Sequence, residues 1–341
     1  MNDNKVISEN TVLNVENLCV DFTIRGRLIH VLSDISFSLE RGKTLGVVGE
    51  SGCGKSMTAL ALLRMVPSPP GRISSGKVVL NGEDLLKVSD KEIRARRGRE
   101  ISMIFQEPMT SLNPVYTIGN QIAETIRYHT NSNGAEAIEK TIELLRIVNI
   151  PAPERRISEY PYQLSGGLRQ RVMIAMALAC EPRVLIADEP TTALDVTVQA
   201  QIIELLNEIQ NTRGTGIILI THDLGVVAEL ADRVNVMYAG YTVETGTVEE
   251  VINHARHPYT QGLLHCMPDI KVDSKKMRQL LPEIPGNVPD LLQPLKGCPF
   301  SPRCSLAGPQ CRELPPIFDL GHGRSMRCWL AQETEWMDGN D

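Results

Sequence analysis

The chain has 341 residues, of which 42% are hydrophobic, and a formal net charge of −6. That length suits one large domain with an appendix, or two domains, and the acidic balance argues against a nucleic-acid-binding protein, which usually carries a basic face. No apolar run approaches the roughly 18 residues that a membrane span needs. The first residues lack the basic and apolar regions of a secretory signal, so we predict a cytosolic protein whose 8 cysteines stay reduced.

Four short apolar runs each end in a residue suited to chemistry. They lead, in chain order, into Gly49, Gln106, Asp188 and His222. Their unalternated, β-branched composition predicts strands buried on both faces, and the helical patterns between them predict a mostly parallel α/β sheet. Because ligands bind beyond the carboxyl ends of such strands, we expect the four endings to gather at one edge of the sheet.

The first ending opens the phosphate loop, residues 49–56, whose sequence GESGCGKS fits the pattern G-x-x-x-x-G-K-S. Its glycines let backbone amides curl round one anion, and the helix that follows adds its positive N-terminal end. Lys55 is expected to reach the β- and γ-phosphates and Ser56 to hold Mg²⁺, whereas Cys53 is a small filler. The nucleotide-binding residues predicted here are Gly49, Ser51, Gly52, Gly54, Lys55 and Ser56.

The amphipathic pattern of Ile138, Ile142 and Leu145 lies between Gln106 and Ser165. It predicts a helical subdomain at about residues 112–178, inserted in the nucleotide-binding core.

The segment LSGGLRQ, residues 164–170, is called the signature segment below. Ser165 is a good helix N-cap, and the two glycines after it leave backbone amides free to meet an anion. Since the chain already has one phosphate loop, a second anion site suggests an anion shared between two chains. The alternative is an ordinary capped helix.

Two carboxylates follow the third apolar run. Asp188 suits Mg²⁺ ligation, and Glu189 is placed to polarise the water that attacks the γ-phosphate. His222, after the fourth run, is suited to sense that phosphate. Alone, each would more often be structural, but together with the phosphate loop they predict a hydrolytic site.

With these motifs in this order, the sequence resembles the ATP-binding subunits of ABC transporters over roughly residues 11–257. The signature segment resembles theirs, VLIADEP resembles their Walker B strand, and Ala193-Leu194-Asp195 fits their D-loop. The resemblance implies a P-loop ABC ATPase that acts as a head-to-tail dimer, with Phe22 stacking on adenine. It implies that Mg²⁺ is held by Ser56, Gln106 and Asp188 and that the catalytic residues are Glu189, His222 and Gln106. The residues it assigns to the partner's nucleotide are Ser165, Gly166, Gly167, Gln170 and Asp195.

Three further stretches narrow the resemblance. IFQEPMTSLNP, HPYTQGLL and the pairing of IPGNVP with GCPFSPRC are similar to stretches typical of the peptide and nickel uptake group. This implies a peripheral ATPase on the cytoplasmic face of the bacterial inner membrane that powers uptake of di- or oligopeptides. Its implied partners are a paralogous ATPase subunit in a heterodimer, two transmembrane permease subunits and an extracytoplasmic solute-binding protein. A nickel or other small-solute importer of the same group stays open, as does, in a different class, a non-transport ABC ATPase acting in metal-cluster assembly.

The remaining residues, 258–341, are predicted to form a C-terminal extension that contains a metal site. Four reduced thiols this close in sequence suggest four ligands to one centre, either zinc or a four-iron, four-sulfur cluster. The spacing matches neither the paired cysteines of zinc ribbons nor the ferredoxin run, so it does not choose the metal. Resemblance to the peptide group favours the cluster. The ligands predicted are Cys298, Cys304, Cys311 and Cys328. The cysteines predicted not to be ligands are Cys19, Cys53, Cys180 and Cys266.

Overall fold

A computed structural model describes residues 10–107, 111–192, 194–266, 283–293 and 295–332. Within these ranges the chain forms two sheets and several helices. The strands are β1 (Thr11–Ile24), β2 (Arg27–Glu40), β3 (Thr44–Val48), β4 (Gly71–Leu80), β5 (Glu83–Asp84), β6 (Ile101–Ile104), β7 (Val184–Asp188), β8 (Gly216–Ile220), β9 (Arg233–Tyr238), β10 (Tyr241–Thr247), β11 (Phe318–Gly321) and β12 (Arg324–Met326).

The α-helices follow the same chain order. They are α1 (Lys55–Leu62), α2 (Asp90–Arg96), α3 (Ile118–His129), α4 (Gly134–Ile147), α5 (Pro153–Arg156), α6 (Gly166–Leu178), α7 (Val196–Arg213), α8 (Leu224–Leu230) and α9 (Pro258–His265). Every helix in the described ranges is too short or too polar to span a bilayer.

The larger sheet has the strand order β11-β12-β10-β9-β3-β8-β7-β6, and its strands from β9 to β6 are parallel. β3, β6, β7 and β8 are buried at every position, as parallel strands covered on both faces are. These are the four strands that the apolar runs predict, so the expected α/β architecture is confirmed.

The smaller sheet is antiparallel, with the order β2-β1-β4-β5. One hydrophobic cluster joins it to α1 and to the larger sheet, and it includes Leu32, Leu62 and Ile186, each fully buried. Because β1 carries bulges that shift its register against β2 and β4, its burial pattern does not alternate cleanly.

The helices α3 to α6 lie between β6 and β7 in the chain and share a second hydrophobic cluster with the larger sheet. Among its buried members are Ile122, Leu145 and Val172. A capping box starts α4: Asn133 Oδ1 accepts from the Glu136 amide at 3.0 Å, and Glu136 Oε2 accepts from the Asn133 amide at 3.0 Å. These helices occupy the range in which the amphipathic pattern predicts a helical insertion.

The C-terminal extension shares its core with the ATPase. Its hairpin β11–β12 joins the edge of the larger sheet, where Met326 pairs with Glu244 of β10. Phe300 packs against the rings of Tyr238 and Tyr259, with 5.3 Å between ring centroids in both cases. The extension therefore packs against β9, the strand next to β3 in the larger sheet.

Candidate active site

The phosphate loop connects the end of β3 to the start of α1. Gly49 is required because a Cβ there would lie 2.2 Å from the carbonyl oxygen of Met237 on β9. Gly54, at a φ of 108°, precedes the first helical residue. Lys55 is buried, and its Nζ donates to the carbonyl oxygens of Gly49 at 2.7 Å and Glu50 at 3.1 Å. The Lys55 side chain therefore folds back over the loop, whose backbone curves as in an anion-binding turn.

Ser56 and Asp188 meet across the strand ends. Ser56 Oγ donates to Asp188 Oδ1 at 3.1 Å, although the two residues are 132 positions apart. Burial raises the pKa of Asp188, and the hydrogen bond from Ser56 offsets part of that rise. A hydroxyl and a carboxylate are oxygen ligands of the kind that Mg²⁺ takes, so two of the three predicted magnesium ligands lie together.

Glu189 is the centre of a second group of contacts. Its Oε2 accepts from Gln106 Nε2 at 3.0 Å and from Thr192 Oγ1 at 2.8 Å, and its Oε1 lies 3.4 Å from His222 Nδ1. Glu189 has a φ of 47°, a left-handed conformation that is uncommon for this residue type and that clusters at functional sites. The endings of β6, β7 and β8 therefore converge on one carboxylate.

The surroundings of Glu189 favour its ionised form. Burial opposes ionisation, but the hydrogen bonds from Thr192 and His222 outweigh it, and the pKa of Glu189 is lowered. The predicted role of Gln106 as a magnesium ligand differs from its position here, since its amide donates to Glu189 instead. Thr192 was not predicted from the sequence. Its only signal is its position three residues after Glu189 in the turn that follows β7.

The signature segment lies at the start of α6, where Ser165 and Gly166 are exposed while Leu164 and Gln170 are buried. Ser165 is the N-cap, and its Oγ accepts from the Leu168 amide at 3.4 Å. A Cβ on Gly166 would meet open space, whereas one on Gly167 would lie 2.8 Å from Val198 at the start of α7.

The other residues predicted for nucleotide binding lie in separate places. Asp195 caps α7 by accepting from the Val198 amide at 2.9 Å, and Ala193 lies outside the described residues. Gln170 is 3% exposed, and its Nε2 has no hydrogen-bond partner within the described ranges. Phe22 lies on β1, with its ring against Gly71. A contact between Phe22 and adenine stays a prediction.

The four predicted cysteine ligands line one cavity, called the cysteine cavity below. Its wall also contains His257, Phe300 and Trp329. The lining cysteines are Cys298, Cys304, Cys311 and Cys328. Burial and then the neighbouring cysteines raise the pKa of Cys328, to about 12. The structure therefore brings together four side chains that span 31 positions of the sequence.

Gly297 allows the first of these cysteines to approach the third. The Cys298 amide donates to the Cys311 carbonyl at 2.9 Å. Gly297 has a φ of 72°, and a Cβ there would lie 2.3 Å from that same carbonyl oxygen. The described residues contain no group of three or more His, Cys, Asp or Glu side chains placed to hold a metal ion.

Comparisons with known proteins show the family to which this chain belongs. A family model described as ABC transporter matches residues 32–192, and one described as oligopeptide/dipeptide transporter, C-terminal region, matches residues 243–311. The chain is 48% identical over 320 residues to the oligopeptide transport ATP-binding protein OppD of Bacillus subtilis, which covers 94% of this chain and 88% of that protein. It is 48% identical over 324 residues to a probable peptide ABC transporter ATP-binding protein of Sinorhizobium fredii, which covers 95% of this chain and 96% of that protein.

A solved structure matches the ATPase part. The dimeric bacterial ABC transporter cassette MJ0796 superposes with a TM-score of 0.63 and 25% identity, over 69% of this chain and 98% of that one. The same cassette has a dimeric post-hydrolysis structure with ADP and Pi. Since almost the whole chain aligns with named ATP-binding subunits, and its strand ends bring the phosphate loop to two carboxylates, this protein belongs to the ATP-binding subunits of ABC transporters, in the group that carries the oligopeptide/dipeptide transporter C-terminal region.

Proposed function

We propose that this chain hydrolyses ATP to power the uptake of di- and oligopeptides across the bacterial cytoplasmic membrane. The observation that carries the hydrolytic part is the pair of neighbouring carboxylates at the end of β7. Asp188 meets the phosphate-loop residue Ser56, while Glu189 gathers Gln106 and His222. The peptide part is supported by the match of residues 243–311 and by the names of the relatives.

The chemistry follows from the contacts of each side chain. Lys55 exchanges its carbonyl partners for oxygens of the β- and γ-phosphates when ATP enters the phosphate loop. Glu189, ionised and held from three sides, accepts the proton of the water that attacks the γ-phosphorus. As the new P–O bond forms, the bond to the β-phosphate oxygen breaks, leaving ADP and phosphate. Gln106 and His222 lie beside Glu189, where they can sense whether the γ-phosphate is present.

Mg²⁺ fits the oxygen atoms of Ser56 and Asp188, and we assign it to them together with Gln106 once that side chain leaves Glu189. When bound there, it would supply positive charge that neutralises the charge developing on the phosphates.

A second copy of the cassette completes each nucleotide site in this proposal. The first amides of α6 have no partner within the helix ladder, and Ser165 and Gly166 are exposed. We assign Ser165, Gly166, Gly167 and Gln170, with Asp195 beside them, to the nucleotide bound by the partner subunit. The dimeric cassette MJ0796 supports a dimer of this type. We propose that the partner is a paralogous ATPase, which makes a heterodimer.

The remaining partners follow from the transporter role. We propose two transmembrane permease subunits, which the chain joins as a peripheral subunit at the cytoplasmic face, and an extracytoplasmic solute-binding protein. The ATPase domain would span residues 11–257, with a helical subdomain at about 112–178 to receive the permease. Residues 258–341 would form the extension.

We propose that the cysteine cavity holds a four-iron, four-sulfur cluster. All four predicted ligands line this one cavity, and four thiolates suit either zinc or such a cluster. A cluster binds each thiolate through a different iron, so it suits four cysteines spaced around a cavity. When bound, it would cross-link the segments that carry Cys298, Cys304, Cys311 and Cys328.

Reconstitution tests the proposal as a whole. The chain, its paralogous ATPase, the permease subunits and the binding protein would be placed in liposomes, and ATP hydrolysis measured across dipeptides, longer peptides, nickel complexes and no solute. Stimulation by peptides alone is the expected result. Stimulation only by nickel complexes would favour the nickel importer of the same group, and a chain that binds no permease subunit would favour the role in metal-cluster assembly.

A further inference from the structure

An arginine of the C-terminal extension reaches the phosphate loop. Arg303 NH1 donates to Glu50 Oε2 at 2.6 Å, and its NH2 donates to Glu50 Oε1 at 3.0 Å. This is a bidentate pair, the strongest geometry between these two groups. The Arg303 side chain is 4% exposed and that of Glu50 is 26% exposed, so solvent screens the pair only in part.

Arg303 is fixed independently of Glu50. Its Nε donates to the Pro285 carbonyl at 3.0 Å, and its NH2 also donates to the Ile284 carbonyl at 3.1 Å. Its NH1 lies 3.4 Å from the Tyr238 hydroxyl, and the guanidinium sits 5.9 Å from the centre of that ring. These partners hold the guanidinium in one place, so it acts as an anchor rather than as a mobile surface cation.

Glu50 is held at every polar group. Its side chain meets Arg303, its amide donates to the Tyr259 hydroxyl at 2.8 Å, and its carbonyl accepts from Lys55 at 3.1 Å. Tyr259 belongs to α9, in the same extension. Two side chains of the extension therefore contact Glu50, one at its carboxylate and the other at its backbone amide.

A carboxylate is an unfavourable neighbour for a triphosphate. Glu50 occupies a variable position of the G-x-x-x-x-G-K-S pattern, which requires no acid there. Left unpaired, its negative charge would repel ATP and compete for Lys55. The guanidinium of Arg303 neutralises this charge and holds the carboxylate against the extension.

We propose that Arg303 is a positioning residue for ATP binding, through which the C-terminal extension neutralises Glu50 and fixes the phosphate loop. The proposal rests on ATP binding by this family and on neither the transported solute nor the metal. Arg303 directly precedes Cys304, which lines the cysteine cavity. Ordering of the cavity wall therefore also orders Arg303, which contacts the phosphate loop. Because linkage is reciprocal, ATP binding should in turn steady the segment that carries Arg303.

The test compares two arginines of the same extension in the full chain as it purifies. Arg327 is the matched control: it directly precedes Cys328, is 6% exposed, and pairs with Asp34 at 2.6 Å on β2 without touching the phosphate loop. The dissociation constant for Mg²⁺–ATP would be measured with a fluorescent ATP analogue in competition. Arg303→Ala should weaken ATP binding about tenfold, which corresponds to about 1.4 kcal/mol. Arg327→Ala should change this dissociation constant less than twofold, while lowering Tm about as much as Arg303→Ala does.

Two further measurements separate positioning from general damage. In a Glu50→Gln background, replacing Arg303 by Ala should cost less than threefold, since the charge it neutralises is gone. Arg303→Lys should recover part of the affinity, because it restores the charge without the fork. If Arg303→Ala fails to fold, Arg303→Lys serves as the test variant, and we expect it to weaken ATP binding about threefold. Hydrogen exchange of residues 298–304 should slow on ATP addition in the wild type and not in Arg303→Ala.

Three results would each overturn the proposal. One is ATP binding of wild-type strength in a folded Arg303 variant. Another is an equal loss of affinity in Arg327→Ala. The third is a penalty for Arg303→Ala that is the same with Glu50 or Gln at position 50, because the two residues would then act independently.

Discussion

Replacing Glu189 by Gln should stop ATP hydrolysis while leaving ATP binding and the fold intact. The amide oxygen of Gln can accept from Thr192 and Gln106 as Glu189 Oε2 does, at 2.8 and 3.0 Å. Its NH₂ group then faces His222, whose ring nitrogen can accept instead of donate. We therefore expect the free energy of unfolding to change by less than about 1 kcal/mol. Loss of the base should slow hydrolysis by about 10²–10⁴-fold, or roughly 2.7–5.4 kcal/mol in activation free energy.

Phosphate release by the assembled transporter measures the rate of hydrolysis, and thermal unfolding of the isolated chain measures the change in stability. ATP should also hold the Glu189→Gln dimer closed, which light scattering detects as a stable dimer that wild type does not accumulate. Thr192→Val is the control, because it removes one hydrogen bond to Glu189 but keeps the carboxylate. It should slow hydrolysis by less than about tenfold, the equivalent of one hydrogen bond of about 1 kcal/mol. Hydrolysis by Glu189→Gln within threefold of wild type would refute the role assigned to this carboxylate.

Three other predictions test separate parts of the molecule. Lys55→Ala should weaken ATP binding by the isolated chain, whereas Ser165→Arg should leave it unchanged and block closure with the partner; equal losses in an ATP titration would contradict the shared site. Anaerobic purification should yield iron and sulfide in a ratio near one, greatly reduced in Cys304→Ser and retained in Cys180→Ser, and one stoichiometric zinc in a colourless protein would overturn the cluster. Burial lowers the pKa of His257 from 6.5 to about 4. Unfolding therefore takes up a proton in that window, and stability is lost as pH falls from about 6.5 to about 4. His257→Asn should flatten denaturation midpoints against pH in that window, and an unchanged slope would exclude this histidine as the cause.

The sequence predicts the catalytic edge well because local signals coincide there. Runs such as Val184–Asp188 are too short and too apolar to be anything but buried strands, and the polar residue after each run marks its carboxyl end. Parallel pairing then brings Gln106 and His222 to Glu189 although no sequence pattern links them. The neighbours of each strand in the sheet were not predicted, because strand order depends on the crossovers between strands and not on the strands themselves.

The antiparallel sheet and the extension were harder to predict for different reasons. In β1 the register shifts between Val15 and Leu18 and again before Val20, which breaks the alternation that identifies a half-buried strand. The pair of Arg303 and Glu50 joins residues 253 positions apart. Such an ion pair produces no periodic pattern in the sequence. Its two residues also lie in motifs that are recognised by other residues, namely the phosphate loop and the cysteine-containing extension.

In the proposed mechanism, one chain supplies only part of each nucleotide site. Lys55, Ser56 and the two carboxylates lie at one edge of the sheet, where they would provide charge, a magnesium ligand and a base. The helix N-terminus at Ser165 is exposed and would offer its amides to the outer side of a triphosphate. A nucleotide held from one side is open to water, whereas one held from both sides excludes it. In the proposed mechanism, closure of two chains on ATP therefore both completes the binding site and controls access of the attacking water, which would link hydrolysis to a dimer motion that a permease can use.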